Sequence, residues 1–98
     1  MSELRFEWDP RKNSENLRKH RVSFEEAETV FTDEHALLID DPEHSTTEDR
    51  FILLGLSARF RVLVVAHSDE EDDEVVRIIS ARRATKPERG RYDERWQG

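Results

Sequence analysis

Leu4, Phe6 and Trp8 alternate with Arg5, Glu7 and Asp9 near the start of the chain, the period-two pattern of a half-buried strand. Asp9-Pro10 then reads as a helix start, a carboxylate cap followed by proline at the first helical position. The helix predicted from Pro10 to His20 has Leu17 as its only strongly apolar residue. Residues three and four apart share a helix face, so Lys12, Asn16, Lys19 and His20 line one side of it. "SFEE" predicts a second helix opened by a capping box, Ser23 with Glu26, whose face of Phe24, Ala27, Val30 and Phe31 is ordinary core packing. From Ala36 onward the period changes. "ALLID", "RFILLGL", "RFRVLVVAH" and "EVVRIIS" are short apolar runs between turn-like stretches, four strands in all. The short links "SAR" (57–59) and "SDEEDDE" predict hairpins and hence antiparallel neighbours. "TKPE" is a second capping box, Thr85 with Glu88, opening a last helix that carries Tyr92 and Trp96. The expected fold is α+β: an N-terminal strand and two helices, a four-stranded antiparallel sheet and a C-terminal helix, all one domain over residues 1–98.

Composition tests that reading. At 35% hydrophobic and 40% charged, with net charge -7, the chain approaches the composition of disordered proteins. Its apolar residues are clustered, which favours folding. No cysteine is present, so disulfides and thiolate metal sites are excluded. The N-terminus lacks a signal-peptide core and no run reaches membrane-spanning length, so a soluble cytoplasmic protein without membrane association is expected.

Charge is divided unevenly. Residues 21–75 carry four Lys/Arg against sixteen Asp/Glu, whereas 76–98 carry seven against three. Within the latter, "RIISARRATKPERGRY" holds six basic residues and one acid, Glu88. Screening confines exposed charges to ~8–10 Å, so this local sign survives on an acidic body. Arg77, in the middle of an apolar strand, is costly unless it is paired or faces an open groove. Strand alternation sets it on one side with Val75 and Ile79, and Ser80 on the other. Arg82 and Arg83 leave the strand just before a capped helix, where guanidinium forks and backbone N–H groups suit a phosphate.

Other features are weighed against simpler roles. The run Asp69–Glu74 lacks the glycine and ligand order of a calcium loop and reads as a solvated turn. His35 and His67 read as strand-end or surface residues, and the histidines (His44 among them) show no metal spacing. No metal and no cofactor is expected. His20 could cap a helix end or move protons at neutral pH. Glu48 and Arg50 point to one side of their strand, as a surface ion pair or as an acid with a phosphate clamp. Tyr92 could stack on a base, donate a proton or anchor the core.

Taken together, "FEWDPRKNSENLRKHRVSFEEAETVF", "DPEHSTTEDRFILLGLS" and "RIISARRATKPERGRY" resemble the BrnT toxins of bacterial type II toxin–antitoxin systems across about Phe6 to Tyr92. The resemblance implies a RelE-like fold and a metal-independent ribonuclease that cuts messenger RNA and arrests growth. It also implies a BrnA-type ribbon-helix-helix antitoxin, through which the complex would reach operator DNA as a dimer or heterotetramer. The family's motifs fall on Lys12, Asn16, Lys19 and His20; on Glu48 and Arg50; and on Arg77, Ser80, Arg82, Thr85, Glu88 and Tyr92. The catalytic set so implied is Lys19, His20, Glu48, Arg77, Arg82 and Tyr92, with Lys12, Asn16, Arg50, Ser80, Arg83 and Lys86 on RNA. Within it, Arg77 and Arg82 or Arg83 would hold the phosphate. His20, Lys19 or Glu48 would take the 2′-OH proton, and His20 or Tyr92 would protonate the leaving oxygen. One departure stands out: "KHRV" replaces the usual "KHGV", placing Arg21 where glycine would end the helix. The rival expectation is a non-enzymatic corepressor subunit of a DNA-binding complex.

Overall fold

The computed structural model describes residues 4–39, 50–70 and 74–97. Strand β1 (Arg5–Glu7) leads into helix α1 (Pro10–His20), helix α2 (Phe24–Thr29) and a single 3-10 turn (Val30–Thr32). Strands β2 (Leu37–Ile39), β3 (Arg50–Leu56), β4 (Val62–Glu70) and β5 (Val75–Arg83) follow, and helix α3 (Lys86–Gln97) ends the chain. The helix starts are those the sequence dictates. Asp9 accepts the Arg11 N–H at 2.9 Å with Pro10 at the first helical position, and Ser23 Oγ accepts the Glu26 N–H at 3.0 Å.

The number of strands is as expected, but the N-terminal strand joins the sheet, which is mixed and five-stranded rather than antiparallel and four-stranded. The strand order is β1-β5-β4-β3-β2. Strands β2 to β5 run antiparallel in sequence, and β1 adds to β5 in parallel, Arg5 opposite Val75 and Glu7 opposite Arg77. Parallel pairing needs a long crossover, and everything between β1 and β5 serves as that crossover. Alternation within β1 alone could not reveal its partner.

A second correction concerns β5. Ser80 lies opposite Ala66 but Ile78 lies opposite His67, so Ile79 is an extra residue, a β-bulge. A bulge shifts alternation by one position. Ser80 and Arg82 therefore share the face of Arg77, and Ile79 does not keep the place that strict alternation gave it.

Each face of the sheet has its own core. On one, Leu63, Val65, Val76, Ile78 and Ala81 pack beneath Val22, Phe24, Ala27 and Val30 from α2 and its flanks. On the other, Leu54 and Val64 pack under Tyr92 of α3, with Leu37, Ile52 and Val62 around them. Gly55 permits close approach of β3 to the 3-10 turn. A Cβ there would sit 2.8 Å from Val30 Cγ1 and 3.0 Å from Ala36 Cβ.

Candidate functional site

Cross-strand register assembles a polar row on the α3 face of the sheet. Glu7 on β1 is opposite Arg77 on β5, Arg77 is opposite Ser68 on β4, and Ser68 is opposite Arg50 on β3. Directly opposed residues project to the same face, so two arginines flank a serine with a carboxylate at the end. At ~4.8 Å per strand step, the Arg50 and Arg77 Cα atoms are about 10 Å apart, within which two long side chains can meet one phosphate. The next row holds Ser80 and Ala66, and the one after it Arg82 and Val64. Apolar cover on this face begins at Ile52 and Leu54. The Arg77 and Glu7 side chains remain 39% and 42% exposed, 3.4 Å apart. The bulge at Ile79 is what gathers Arg77, Ser80 and Arg82 on this surface.

Arg82 is more constrained. Its two terminal nitrogens donate to the two Glu88 oxygens at 2.8 and 3.0 Å, a bidentate fork. Glu88 also accepts the Thr85 N–H at 2.8 Å while its own N–H meets Thr85 Oγ1, completing the predicted capping box. The Arg82 hydrogen bond, with those from Thr85, overrides burial and lowers the Glu88 carboxyl to about 2. Lys86 and Arg83 are exposed at the α3 entrance.

Five expected site residues, Asn16, Tyr92, Lys12, Lys19 and His20, sit elsewhere. Asn16 is buried at 7% exposure. Its Nδ2 donates to the carbonyls of Val22 and Ala81, both at 2.8 Å, and its Oδ1 accepts the Ala81 N–H at 3.2 Å. β1 covers only positions 75–77 of the β5 edge, so Asn16 satisfies the edge beyond it, as buried backbone requires. It is a fastener between α1 and the sheet, with no atom to spare for RNA. Tyr92 is likewise internal, 2% exposed, its hydroxyl donating to Asp33 Oδ2 at 2.6 Å. This burial matches the core-anchoring role that the sequence offered for Tyr92. Lys12, Lys19 and His20 stay on α1 beside the β5 edge, with both lysines exposed. Glu48, His44 and the centre of the acidic run (71–73) lie outside the described residues, as does the Trp96 side chain. His67 is not a surface residue. Held between Phe31 and Phe51 at ring distances of 4.9 and 5.8 Å, it is 4% exposed, and burial lowers its pKa.

Periodicity also missed the tertiary partners of two acids, the buried Glu26 and the half-buried Asp33. Glu26 does not turn back to Ser23. Its carboxylate meets Arg61 Nε (2.9 Å), Arg61 Nη2 and Ser57 Oγ (2.7 Å). Burial raises its pKa, but the Arg61 and Ser57 hydrogen bonds outweigh it and the net shift is downward. Arg61 Nη2 also donates to the Arg21 carbonyl at 3.0 Å. Arg21 is left-handed (φ 61°, ψ 29°), so arginine takes the conformation glycine would supply more cheaply. Asp33 accepts from the N–H groups of Leu56 and His35 as well as Tyr92, and these bonds lower its pKa against the upward effect of burial. Among the described residues no group of three or more His, Asp or Glu is placed to hold a metal ion, and no helix is long and apolar enough to cross a membrane.

The comparisons agree with this architecture. The structure is similar to the crystal structure of the Brucella abortus ribonuclease toxin BrnT, with a TM-score of 0.63 and 22% identity over 88% of this chain and 100% of that one. No curated protein matches the chain. Residues 8–88 match the family model described as the ribonuclease toxin BrnT of type II toxin–antitoxin systems. The chain thus belongs to the BrnT toxin family.

Proposed function

We propose that this protein is an endoribonuclease that cleaves messenger RNA without a metal, using the RNA's own 2′-OH as nucleophile. The observation that carries the reading is the half-exposed polar row Glu7–Arg77–Ser68–Arg50 on one face of the sheet. A scissile phosphate over Ser68 lies between two guanidinium groups, which stabilise the negative charge that builds as the 2′-oxygen attacks. Glu7 sits beside Arg77 and is the carboxylate positioned to take the 2′-OH proton. The P–O5′ bond then breaks, leaving a 2′,3′-cyclic phosphate and a 5′-oxygen that is protonated from solvent. Phosphate that displaces Glu7 from Arg77 frees that carboxylate at the moment it is needed. In this scheme Glu7 takes the role for which His20, Lys19 and Glu48 were the sequence candidates.

The partner is a basic antitoxin of BrnA type, drawn to the acidic segment 21–75 and covering the arginine face, with operator DNA reached through it. Fields of this kind mainly speed association. The test is end-labelled RNA incubated with the purified protein in excess chelator. Cleavage to cyclic phosphate and 5′-hydroxyl ends supports the mechanism, whereas activity that requires a divalent ion refutes it. The rival corepressor reading draws on Arg77 and Arg82 already facing carboxylates, and intact RNA in the same assay would favour it.

A further inference from the structure

Two features at the opposite end of the sheet have no explanation in the fold. Phe60, at the tip between β3 and β4, is 84% exposed, and its φ of 62° is left-handed, a region that disfavours bulky side chains. The tip is nonetheless firmly held. Ser57 N–H bonds Arg61 O at 2.8 Å and Phe60 N–H bonds Ser57 O at 2.9 Å. Ala58 N–H reaches Thr29 Oγ1 at 2.8 Å, and Ser57 Oγ donates to the buried Glu26. The ring is thus presented to solvent on a fixed support.

Beside it is an open cavity of about 340 Å³ lined by Phe60, Arg61, Val62, Arg83, Ala84 and Arg89. Three of these six are arginines and none is acidic. Arg61 is committed to Glu26 and the Arg21 carbonyl. Arg83 and Arg89 have no ion pair among the described residues, unlike Arg77 and Arg82. The Val62 row lies six residues along β4 from Ser68, roughly 20 Å from the arginine row at 3.3 Å per residue.

We infer that this cavity is a nucleotide-binding subsite for single-stranded RNA, engaging a base several nucleotides from the scissile phosphate. It rests on the ribonuclease reading above and extends it to a second contact. Phe60 would stack on the base, and Arg83 and Arg89 would hold the flanking phosphates. An exposed aromatic beside guanidinium groups is the combination that single strands use, because every base has a π-face and every linkage a charge. A protein segment seated on Phe60 would instead call for apolar walls, and among the described residues the lining offers it just Val62 and Ala84 as apolar neighbours.

The test measures binding of a short, uncleavable 2′-O-methyl oligoribonucleotide and cleavage of a matching unmodified RNA. Phe60→Ala is expected to weaken binding ~5- to 140-fold, the loss of one stacked base. Phe60→Trp is expected to retain it. Replacing Arg83 and Arg89 together by alanine should flatten the slope of log affinity against log salt by about 1.4, at ~0.7 per single-strand phosphate contact. Phe60→Gly relieves the left-handed backbone, so its thermal midpoint should be no lower than the parent's while its binding falls, a pairing that a structural role would not give. Parent protein that cleaves RNA while Phe60→Ala binds it unchanged would overturn the subsite alone. Phe60→Ala that keeps RNA affinity but loses antitoxin affinity would assign the tip to the protein partner and overturn the proposal. Parent protein that neither binds nor cleaves RNA would overturn the ribonuclease reading beneath it.

Discussion

Replacing Asn16 separates a structural role from an RNA-binding one. Asn16→Ala removes three hydrogen bonds at once and leaves the Val22 carbonyl and both backbone groups of Ala81 without their partner. A buried polar group stripped of its partner costs ~1–3 kcal/mol. Three such groups give ~3 kcal/mol even at the lower end, a large share of the ~5–15 kcal/mol that holds a domain together. At ~4–8 °C per kcal/mol for a domain of this size, the melting midpoint should fall by ~12 °C or more. Asn16→Asp should be no milder. It keeps the oxygen facing the Ala81 N–H but turns the donating amide into a carboxylate oxygen aimed at two carbonyls. Urea unfolding followed by circular dichroism measures the change, and the denaturant slope should stay at the parent's value if only the native state is affected. RNA affinity, measured well below each variant's midpoint, should be unchanged. An Asn16→Ala protein within ~1 kcal/mol of the parent in stability, yet weakened toward RNA, would refute the fastener role and return Asn16 to the binding site.

Three further outcomes follow from the same geometry. Arg77→Ala should abolish cleavage while leaving the melting midpoint nearly unchanged, because the Glu7–Arg77 pair is half-exposed and such pairs contribute only ~0–1 kcal/mol; Glu7→Gln should slow cleavage ~10²–10⁴-fold. Tyr92→Phe removes the hydroxyl from Asp33 and should destabilise by ~1–2 kcal/mol without slowing cleavage, so a catalytic defect in a stable Tyr92→Phe protein would restore Tyr92 to the mechanism. Glu88 falls from the ordinary 4.5 to about 2 in the folded protein, so its contribution to stability is present above pH 4.5 and is lost as pH falls toward 2; acid titration of stability should lose that component in Glu88→Gln.

Local chemistry was legible in the sequence, and pairing was not. The Asp9-Pro10 start, the Thr85–Glu88 box and the hairpin at 57–59 follow from residue types that satisfy helix ends and turns. Each is settled within a few positions of the chain. The parallel docking of β1 on β5 joins residues about seventy positions apart, and nothing in the alternation of Leu4, Phe6 and Trp8 says which strand they meet. That is why Glu7 is not legible in the sequence as the neighbour of Arg77. The bulge at Ile79 was invisible for a related reason. It is defined by a second strand, and "RIIS" taken alone alternates without a break. Tyr92 takes the core-anchoring role its residue type allowed, whereas the burial of Asn16 is not legible from its helix face. A polar side chain on a helix with little apolar surface has two uses, a ligand or a backbone, and the choice between them lies in the tertiary contacts.

The two left-handed non-glycine residues among the described ones show how this chain carries strain. Arg21 and Phe60 have φ of 61° and 62°, and both are tied to Arg61. One guanidinium nitrogen of Arg61 holds the Arg21 carbonyl, and Phe60 is its neighbour in sequence. Arg61 is fixed in turn by Glu26, which is 6% exposed and also accepts from Ser57. Burying a charge is favourable only when its partner and its hydrogen bonds are in place, and here all of them are. An unfavourable backbone conformation persists where its surroundings over-determine it; the Glu26–Arg61 pair supplies that constraint at Arg21, and the Ser57 turn supplies it at Phe60. The Glu26–Arg61 pair therefore links the end of α1, where His20 and Arg21 stand, to the tip that presents Phe60. Arg61 is held by Glu26, which leaves Arg83 and Arg89 as the cavity's cations without an ion pair among the described residues, able to meet a ligand without giving up a bond seen there.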